Sequence, residues 1–132
     1  MQESSGIVIL NKNNNVLILL PSGRDLNKKW SVPKGKNEIG EDIIDAAVRE
    51  LKEEAGIAVD KNKLVPLGTK VYLNKRKKIN LFLAKMNELD DSYIPNMNWE
   101  HEKYLWLPPE NAAELVHEAQ VEFLMKLNEL IK

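Results

Sequence analysis

Three glutamates at helical spacing are the residues of this chain best suited to chemistry. Glu50, Glu53 and Glu54 lie three and four positions apart, so on a helix their carboxylates project from one sector. Each like-charged pair on an exposed helix costs about 0.2–0.5 kcal/mol, and a bound divalent cation would remove that repulsion. The spacing therefore indicates a site for a hard metal ion with oxygen ligands, although a glutamate-rich hexapeptide taken alone is more often a solvated helix face.

A longer pattern surrounds these glutamates and changes the balance between the two interpretations. Residues 35–57 follow the spacing Gly-x5-Glu-x7-Arg-Glu-Leu-x-Glu-Glu-x-Gly-Ile without a departure. The fixed positions are filled by Gly35, Glu41, Arg49, Glu50, Leu51, Glu53, Glu54, Gly56 and Ile57. A match of this length is not expected by chance, and the segment resembles the signature box of the Nudix hydrolases at every defined position.

The resemblance implies both a fold and a reaction. The fold is an α/β/α sandwich of the mixed α+β class, with a mixed sheet between helices. The reaction is magnesium-dependent hydrolysis of a nucleoside diphosphate linked to another group, with manganese as a substitute metal. By the same resemblance, Glu50 and Glu54 are metal ligands and Glu53 is a ligand, a water-activating base or both. Arg49 either orients a neighbouring glutamate through a bidentate hydrogen bond or forms a surface salt bridge of little consequence.

A further carboxylate is expected outside the box. Nudix enzymes often draw one from a loop before a late strand, and residues 100–106 resemble that place in the diadenosine tetraphosphate hydrolase branch. Glu100 is therefore a candidate metal ligand or general base, with Glu102 as its rival. His101 either donates to phosphate or has a structural role in holding the loop.

Substrate contacts are expected from segments on either side of the glutamates. Residues 30–36 also resemble the diadenosine tetraphosphate hydrolase branch, and the lysines that flank Gly35 are plausible phosphate ligands. Aromatic rings could stack on a base, with core packing favoured for Trp30 and stacking left open for Trp99. The predicted substrate-binding residues are Lys34, Gly35, Lys36, Tyr72 and Lys77.

The substrate predicted first is a dinucleoside polyphosphate, with diadenosine tetraphosphate cleaved to ATP and AMP. The box varies little with substrate, so ADP-ribose, a nucleoside triphosphate, a diphosphoinositol phosphate and a 5′ RNA triphosphate end remain alternatives. A nucleotide-sensing module that does not hydrolyse is the non-enzymatic alternative. The intact set of three glutamates argues against it, because a sensor has no need to keep their repulsion.

Bulk properties set the remaining limits. The 132 residues fit a single domain, expected over 1–132, and the chain has no cysteine for a disulfide, a thiolate metal site or a cysteine nucleophile. The 19 basic and 20 acidic residues give a net charge of −1, which argues against an extended nucleic-acid surface. A small nucleotide is thus the expected partner. No signal or membrane-spanning run is seen, so a cytoplasmic protein is expected, either a monomer or a homodimer.

The elements that must position these residues follow from hydrophobic patterning. A helix begins near Glu41, presents an apolar stripe that includes Ile44, Leu51 and Ala55, and stops at Gly56. One short and one long helix follow Pro109, and helices on both faces of a sheet are expected. Strands are predicted at residues 6–10 and 16–20 as a hairpin, at 30–32 up to Pro33, at 64–73 and 79–84 around the basic turn 74–78, and at 104–107.

Overall fold

The computed structural model describes residues 1–72, 74 and 76–131, so the predicted strand end at Leu73 and turn residue Lys75 lie outside the described residues. The strands are β1 (Gln2–Asn11), β2 (Val16–Pro21), β3 (Lys34–Lys36), β4 (Val65–Tyr72), β5 (Lys77–Met86) and β6 (His101–Leu107). The α-helices are α1 (Ile43–Ala55), α2 (Pro109–Ala113) and α3 (Glu118–Leu130), and a 3-10 turn spans Lys61–Lys63. Among the described residues, no helix is long and apolar enough to cross a membrane.

The strands form one mixed sheet. Their order is β4-β5-β1-β2-β6, with β3 paired to β1 off this path. β1 runs parallel to β5, whereas its pairings with β2 and β3 are antiparallel. The predicted hairpin between the first two strands and the mixed character of the sheet are both confirmed.

The core lies in two layers, one on each face of the sheet. Alternate residues of β1 point to opposite faces, so that Ile7 and Ile9 pack with α1 while Val8 and Leu10 pack with α2 and α3. Both sets are buried, which explains the continuous apolar run of this central strand. The predicted α/β/α sandwich is therefore confirmed.

Pro33 ends the extended segment as predicted, because the chain bends there, but a strand that was not predicted follows at once. Trp30 and Ser31 form isolated bridges, and β3 follows the proline directly, with Gly35 opposite Ser5 of β1. Proline lacks only the N–H, and the Pro33 carbonyl still accepts a hydrogen bond from the Ile7 N–H at 3.1 Å. After the bend at Pro33 the chain therefore runs along β1 as β3 and enters the box as a strand.

Helix α1 ends as its sequence predicts. Gly56 adopts a left-handed conformation with φ of 69°, and its N–H donates to the Lys52 carbonyl at 3.0 Å. A Cβ at this position would lie 2.7 Å from the Asn96 Cβ, so space as well as backbone conformation requires glycine. The helix that carries the glutamates therefore has a defined C-terminal end at Gly56.

Candidate active site

The three glutamates of α1 differ in their exposure to solvent. Glu50 and Glu54 face inward and are 8% and 5% exposed, whereas Glu53 is exposed. Positions 50 and 54 are one turn apart, so the two buried carboxylates share one side of the helix. The predicted pairing of Glu50 and Glu54 on one face is therefore present.

Arg49 contacts several of these carboxylates at once. Its Nε and Nη2 donate to the two carboxylate oxygens of Glu41, each at 2.9 Å, which makes a bidentate pair. Its Nη1 donates to Glu50 Oε1 at 2.8 Å and lies 3.2 Å from Glu53 Oε2. The bidentate partner is thus Glu41, eight residues earlier, and the contacts to Glu50 and Glu53 are made by a single nitrogen. The hydrogen bonds from Arg49 lower the pKa of Glu41 to about 2.

Burial makes two of the box carboxylates costly to ionise. Desolvation raises the pKa of Glu54 to about 8, although the Lys34 backbone N–H donates to Glu54 Oε1 at 3.1 Å and partly opposes the effect. Desolvation also raises the pKa of Glu50 against the opposing hydrogen bond from Arg49. Both carboxyl groups are therefore easier to protonate than an exposed glutamate, and an added positive charge would favour their ionised forms.

These carboxylates fit magnesium by donor type. Across the part of the chain that the structure describes, no three histidine, aspartate or glutamate side chains converge closely enough to hold a metal ion. Instead, Glu50 and Glu53 face Arg49, and Glu54 accepts from Lys34. All the donors of Glu50, Glu53 and Glu54 are carboxylate oxygens, which is the donor type that a hard divalent cation prefers.

Gly35 lies directly against one of these carboxylates. A Cβ built on Gly35 would be 2.1 Å from Glu50 Oε2, far inside van der Waals contact. The glycine therefore leaves the space in which the Glu50 carboxylate lies, and this explains its place in the motif. Lys36, the next residue, is exposed and contributes its backbone carbonyl, which accepts from Arg49 Nη2 at 3.0 Å.

Glu100 ends the loop before β6, whereas its rival Glu102 lies within that strand. The charge of Glu100 contributes to the raised pKa of both Glu50 and Glu54, so Glu100 lies on the side of the box carboxylates. Glu102 instead pairs with Lys28, and that hydrogen bond lowers its pKa. The Glu100 carbonyl also accepts from the Ser22 N–H at 2.7 Å, which ties this loop to the one after β2.

His101 packs against the buried glutamate. Its side chain is 8% exposed, and its Nε2 lies 3.9 Å from Glu54 Oε1. Burial lowers the pKa of His101, which favours the neutral imidazole. Its buried Nδ1 has no hydrogen-bond partner among the described residues.

Three of the predicted substrate-binding residues line one cavity beside the box. Lys34, Tyr72 and Lys77 border a cavity of about 170 Å³, closed on the other side by residues at the beginning of α3. Tyr72 and Lys77 are partners across β4 and β5, which places both at this wall. Burial, and to a lesser degree Lys77, lowers the pKa of Lys34. Lys36 does not border this cavity.

The aromatic candidates take different positions. Trp30 is half-buried and packs against the core layer of α2 and α3, as the sequence analysis favoured. Trp99 is 86% exposed beside Glu100.

Sequence reasoning missed two residues at the cavity, His117 and Gln120. Gln120 is fully buried, and its amide contacts the segment that leads to Lys34. The available signal was a glutamine in the middle of the apolar face of the last helix, with Val116 four residues before it and Phe123 and Leu124 after it.

Comparisons with known proteins agree on the family and differ on the substrate. A family model described as the NUDIX domain matches residues 1–127. An RNA pyrophosphohydrolase from Pelagibacter ubique is 30% identical over 151 aligned residues, covering 100% of this chain and 92% of that protein. An asymmetrical bis(5′-nucleosyl)-tetraphosphatase from Caenorhabditis elegans is 29% identical and covers 94% of this chain and 91% of that protein. A crystal structure of a C. elegans Ap4A hydrolase binary complex superposes with a TM-score of 0.80 at 28% identity, covering 99% of this chain and 98% of that one.

Proposed function

The chain belongs to the Nudix family and is a Nudix pyrophosphohydrolase, and we propose that its substrate is a dinucleoside polyphosphate such as diadenosine tetraphosphate, cleaved to ATP and AMP. The observation that carries this proposal is the cavity lined by Lys34, Tyr72 and Lys77, which is connected to the glutamates of α1 through the hydrogen bond from the Lys34 N–H to Glu54. Two lysines and an aromatic ring at one wall match a substrate that has both a long polyphosphate and a second base. The similarity to the tetraphosphatase and Ap4A hydrolase of C. elegans supports the same assignment.

In this proposal some residues of the site bind the metal and the phosphates, and others accept a proton from the attacking water. Glu50 and Glu54 hold magnesium, with Glu53 and Glu100 completing the carboxylate set. When bound, the metal supplies positive charge for the phosphate oxygens and makes a nearby water more acidic. Lys34 and Lys77 neutralise the phosphates further along the chain, and Tyr72 covers the base.

The reaction we propose is hydrolysis at phosphorus without a covalent enzyme intermediate. Water attacks the phosphorus next to one adenosine, its proton passes to the carboxylate of Glu53 or Glu100, and the anhydride P–O bond breaks to release ATP. Arg49 is a positioning residue, since its contacts to Glu41, Glu50 and Glu53 limit the directions these side chains can take. The Glu54–Lys34 hydrogen bond links the metal side of the site to the phosphate side.

A 5′ RNA triphosphate end is the second candidate substrate. The observation in its favour is the RNA pyrophosphohydrolase relative, which covers the whole of this chain at 30% identity. The exposed Arg76 adjoins Lys77 in the chain and offers one further positive charge, whereas Lys78 pairs with Glu3 at 3.7 Å. The overall charge of −1 gives no broad surface for a long RNA, and we therefore place this candidate second.

A substrate panel decides between the two. The protein would be incubated with magnesium and, separately, with diadenosine tetraphosphate, a short 5′-triphosphorylated RNA, ADP-ribose and ATP, and kcat/KM would be compared. We expect diadenosine tetraphosphate to exceed each of the others by at least about tenfold, a difference of about 1.4 kcal/mol in transition-state stabilisation. A higher kcat/KM for the RNA end or for ADP-ribose would overturn the assignment, and Lys77→Ala should lower the value for the preferred substrate.

A further inference from the structure

Gln120 places a polar amide inside an apolar layer. It lies on α3 with 0% exposure, among side chains that pack between this helix and the sheet. Its Oε1 accepts a hydrogen bond from the Val32 backbone N–H at 2.9 Å, and its Nε2 donates to Ser31 Oγ at 2.9 Å. A buried amide is costly unless it is bonded in this way, so the two contacts define where Ser31 and Val32 can lie.

Gln120 contacts the segment formed by residues 30–34, which leads to Lys34 at the cavity. Its first residue is also tied to the start of α3, because the Trp30 carbonyl accepts from the His117 N–H at 3.3 Å. Its later residues pair with β1, where Lys34 lies opposite Gly6. The Lys34 N–H then donates to Glu54 at 3.1 Å. One short segment therefore carries the contacts of α3 at one end and those of the box helix at the other.

The geometry assigns Gln120 as a positioning residue that holds Lys34 at the wall of the cavity. Only Pro33 separates the pinned Val32 from Lys34, and proline restricts the backbone between them. Gln120 also borders the cavity that Lys34, Tyr72 and Lys77 line, so the anchor and the lysine belong to the same wall. This inference rests on the proposed function, in which Lys34 binds polyphosphate.

The test compares variants that separate positioning from stability. Gln120→Leu keeps a side chain of similar size but removes both hydrogen bonds, and Ser31→Ala removes one of them. Leu127→Ala is the matched control, because Leu127 is fully buried on the same helix and makes only apolar contacts in the same layer. All variants would be assayed well below the lowest unfolding midpoint, with KM and kcat for diadenosine tetraphosphate and the Kd for inorganic tripolyphosphate measured by calorimetry.

We expect Gln120→Leu to raise both KM and the tripolyphosphate Kd by about tenfold while kcat stays within about threefold. Ser31→Ala should raise KM and Kd by less. The double variant should bind tripolyphosphate no more weakly than Gln120→Leu, because both substitutions break the same connection between α3 and residues 31–32. Leu127→Ala should lower the melting temperature with KM and Kd within about twofold of wild type.

Either of two results with the variants would overturn the inference: unchanged KM and Kd in Gln120→Leu, or a rise of KM and Kd in Leu127→Ala equal to that in Gln120→Leu. A wild-type protein that binds no tripolyphosphate would overturn it as well. Tripolyphosphate binding that weakens in Gln120→Leu, combined with no cleavage of diadenosine tetraphosphate, would instead contradict the proposed substrate and leave the positioning role supported.

Discussion

At the scale of single residues, the space around each carboxylate matters as much as the carboxylate itself. Arg49 donates hydrogen bonds to Glu41 from two of its nitrogens and to Glu50 and Glu53 from the third. Gly35 leaves the room that Glu50 uses. The glutamates and this glycine could be predicted from their spacing, but the choice of Glu41 as the bidentate partner could not, because it depends on how the loop before α1 folds back.

Gly35→Ala should lower activity while leaving stability nearly unchanged. The added methyl group would overlap the Glu50 carboxylate, which is the free end of a flexible side chain and can rotate away at little cost. A displaced ligand should reduce kcat/KM by about 10–100-fold, whereas the melting temperature should change by only a few degrees. Steady-state kinetics with thermal unfolding on the same preparation would check this, and wild-type kcat/KM in the variant would show that the position of Glu50 does not matter.

At the scale of elements, the strands and helices follow their hydrophobic patterns but the connections do not. α1, the first hairpin and the pair of C-terminal helices all lie where periodicity places them. The β3 strand was missed, because its pairing with β1 supplies hydrogen bonds that a three-residue segment after a proline does not reveal locally. The Lys28–Glu102 pair was equally hidden, since it joins the loop after β2 to β6, which is distant in sequence.

Gly56→Ala should destabilise the fold through the end of α1. The residue has φ of 69°, and its Cβ would meet Asn96 at 2.7 Å, so strain and overlap act together. We expect a loss of about 1–3 kcal/mol in the free energy of unfolding, measured by urea denaturation. Gly40→Ala is the control: its φ of 79° gives similar backbone strain, but nothing lies within 4 Å of its Cβ, so its loss should be smaller. Equal losses would show that the Asn96 contact is not responsible.

At the scale of the whole molecule, the chain shares its fold with relatives whose names specify different substrates. The fold is shared over 99% of the chain with a solved relative at 28% identity. The residues that border the cavity come from β3, β4, β5 and the beginning of α3, whereas the glutamates come from one helix. The family could therefore be predicted from one segment of the sequence. The cavity could not, because it forms only when β3, β4, β5 and the beginning of α3 pack together.

The stability of the metal-free protein should depend on pH through Glu54. Its pKa is raised to about 8 from an ordinary 4.5, so the folded state prefers the protonated acid. The resulting stabilisation is complete below about pH 4.5 and is lost as pH rises through about 8, on the order of a few kcal/mol. Urea unfolding in the presence of a chelator at a series of pH values should show this decline. In Glu54→Gln the decline should be smaller, and parallel curves for the two proteins would exclude Glu54 as its cause.

The most direct measurement is the cleavage of diadenosine tetraphosphate by the wild-type protein with magnesium in heavy-oxygen water, with the products analysed by mass spectrometry. Water attack at the phosphorus next to one adenosine predicts ATP and AMP, with the heavy oxygen in AMP and none in ATP. Two molecules of ADP, or heavy oxygen in ATP, would contradict the proposed reaction.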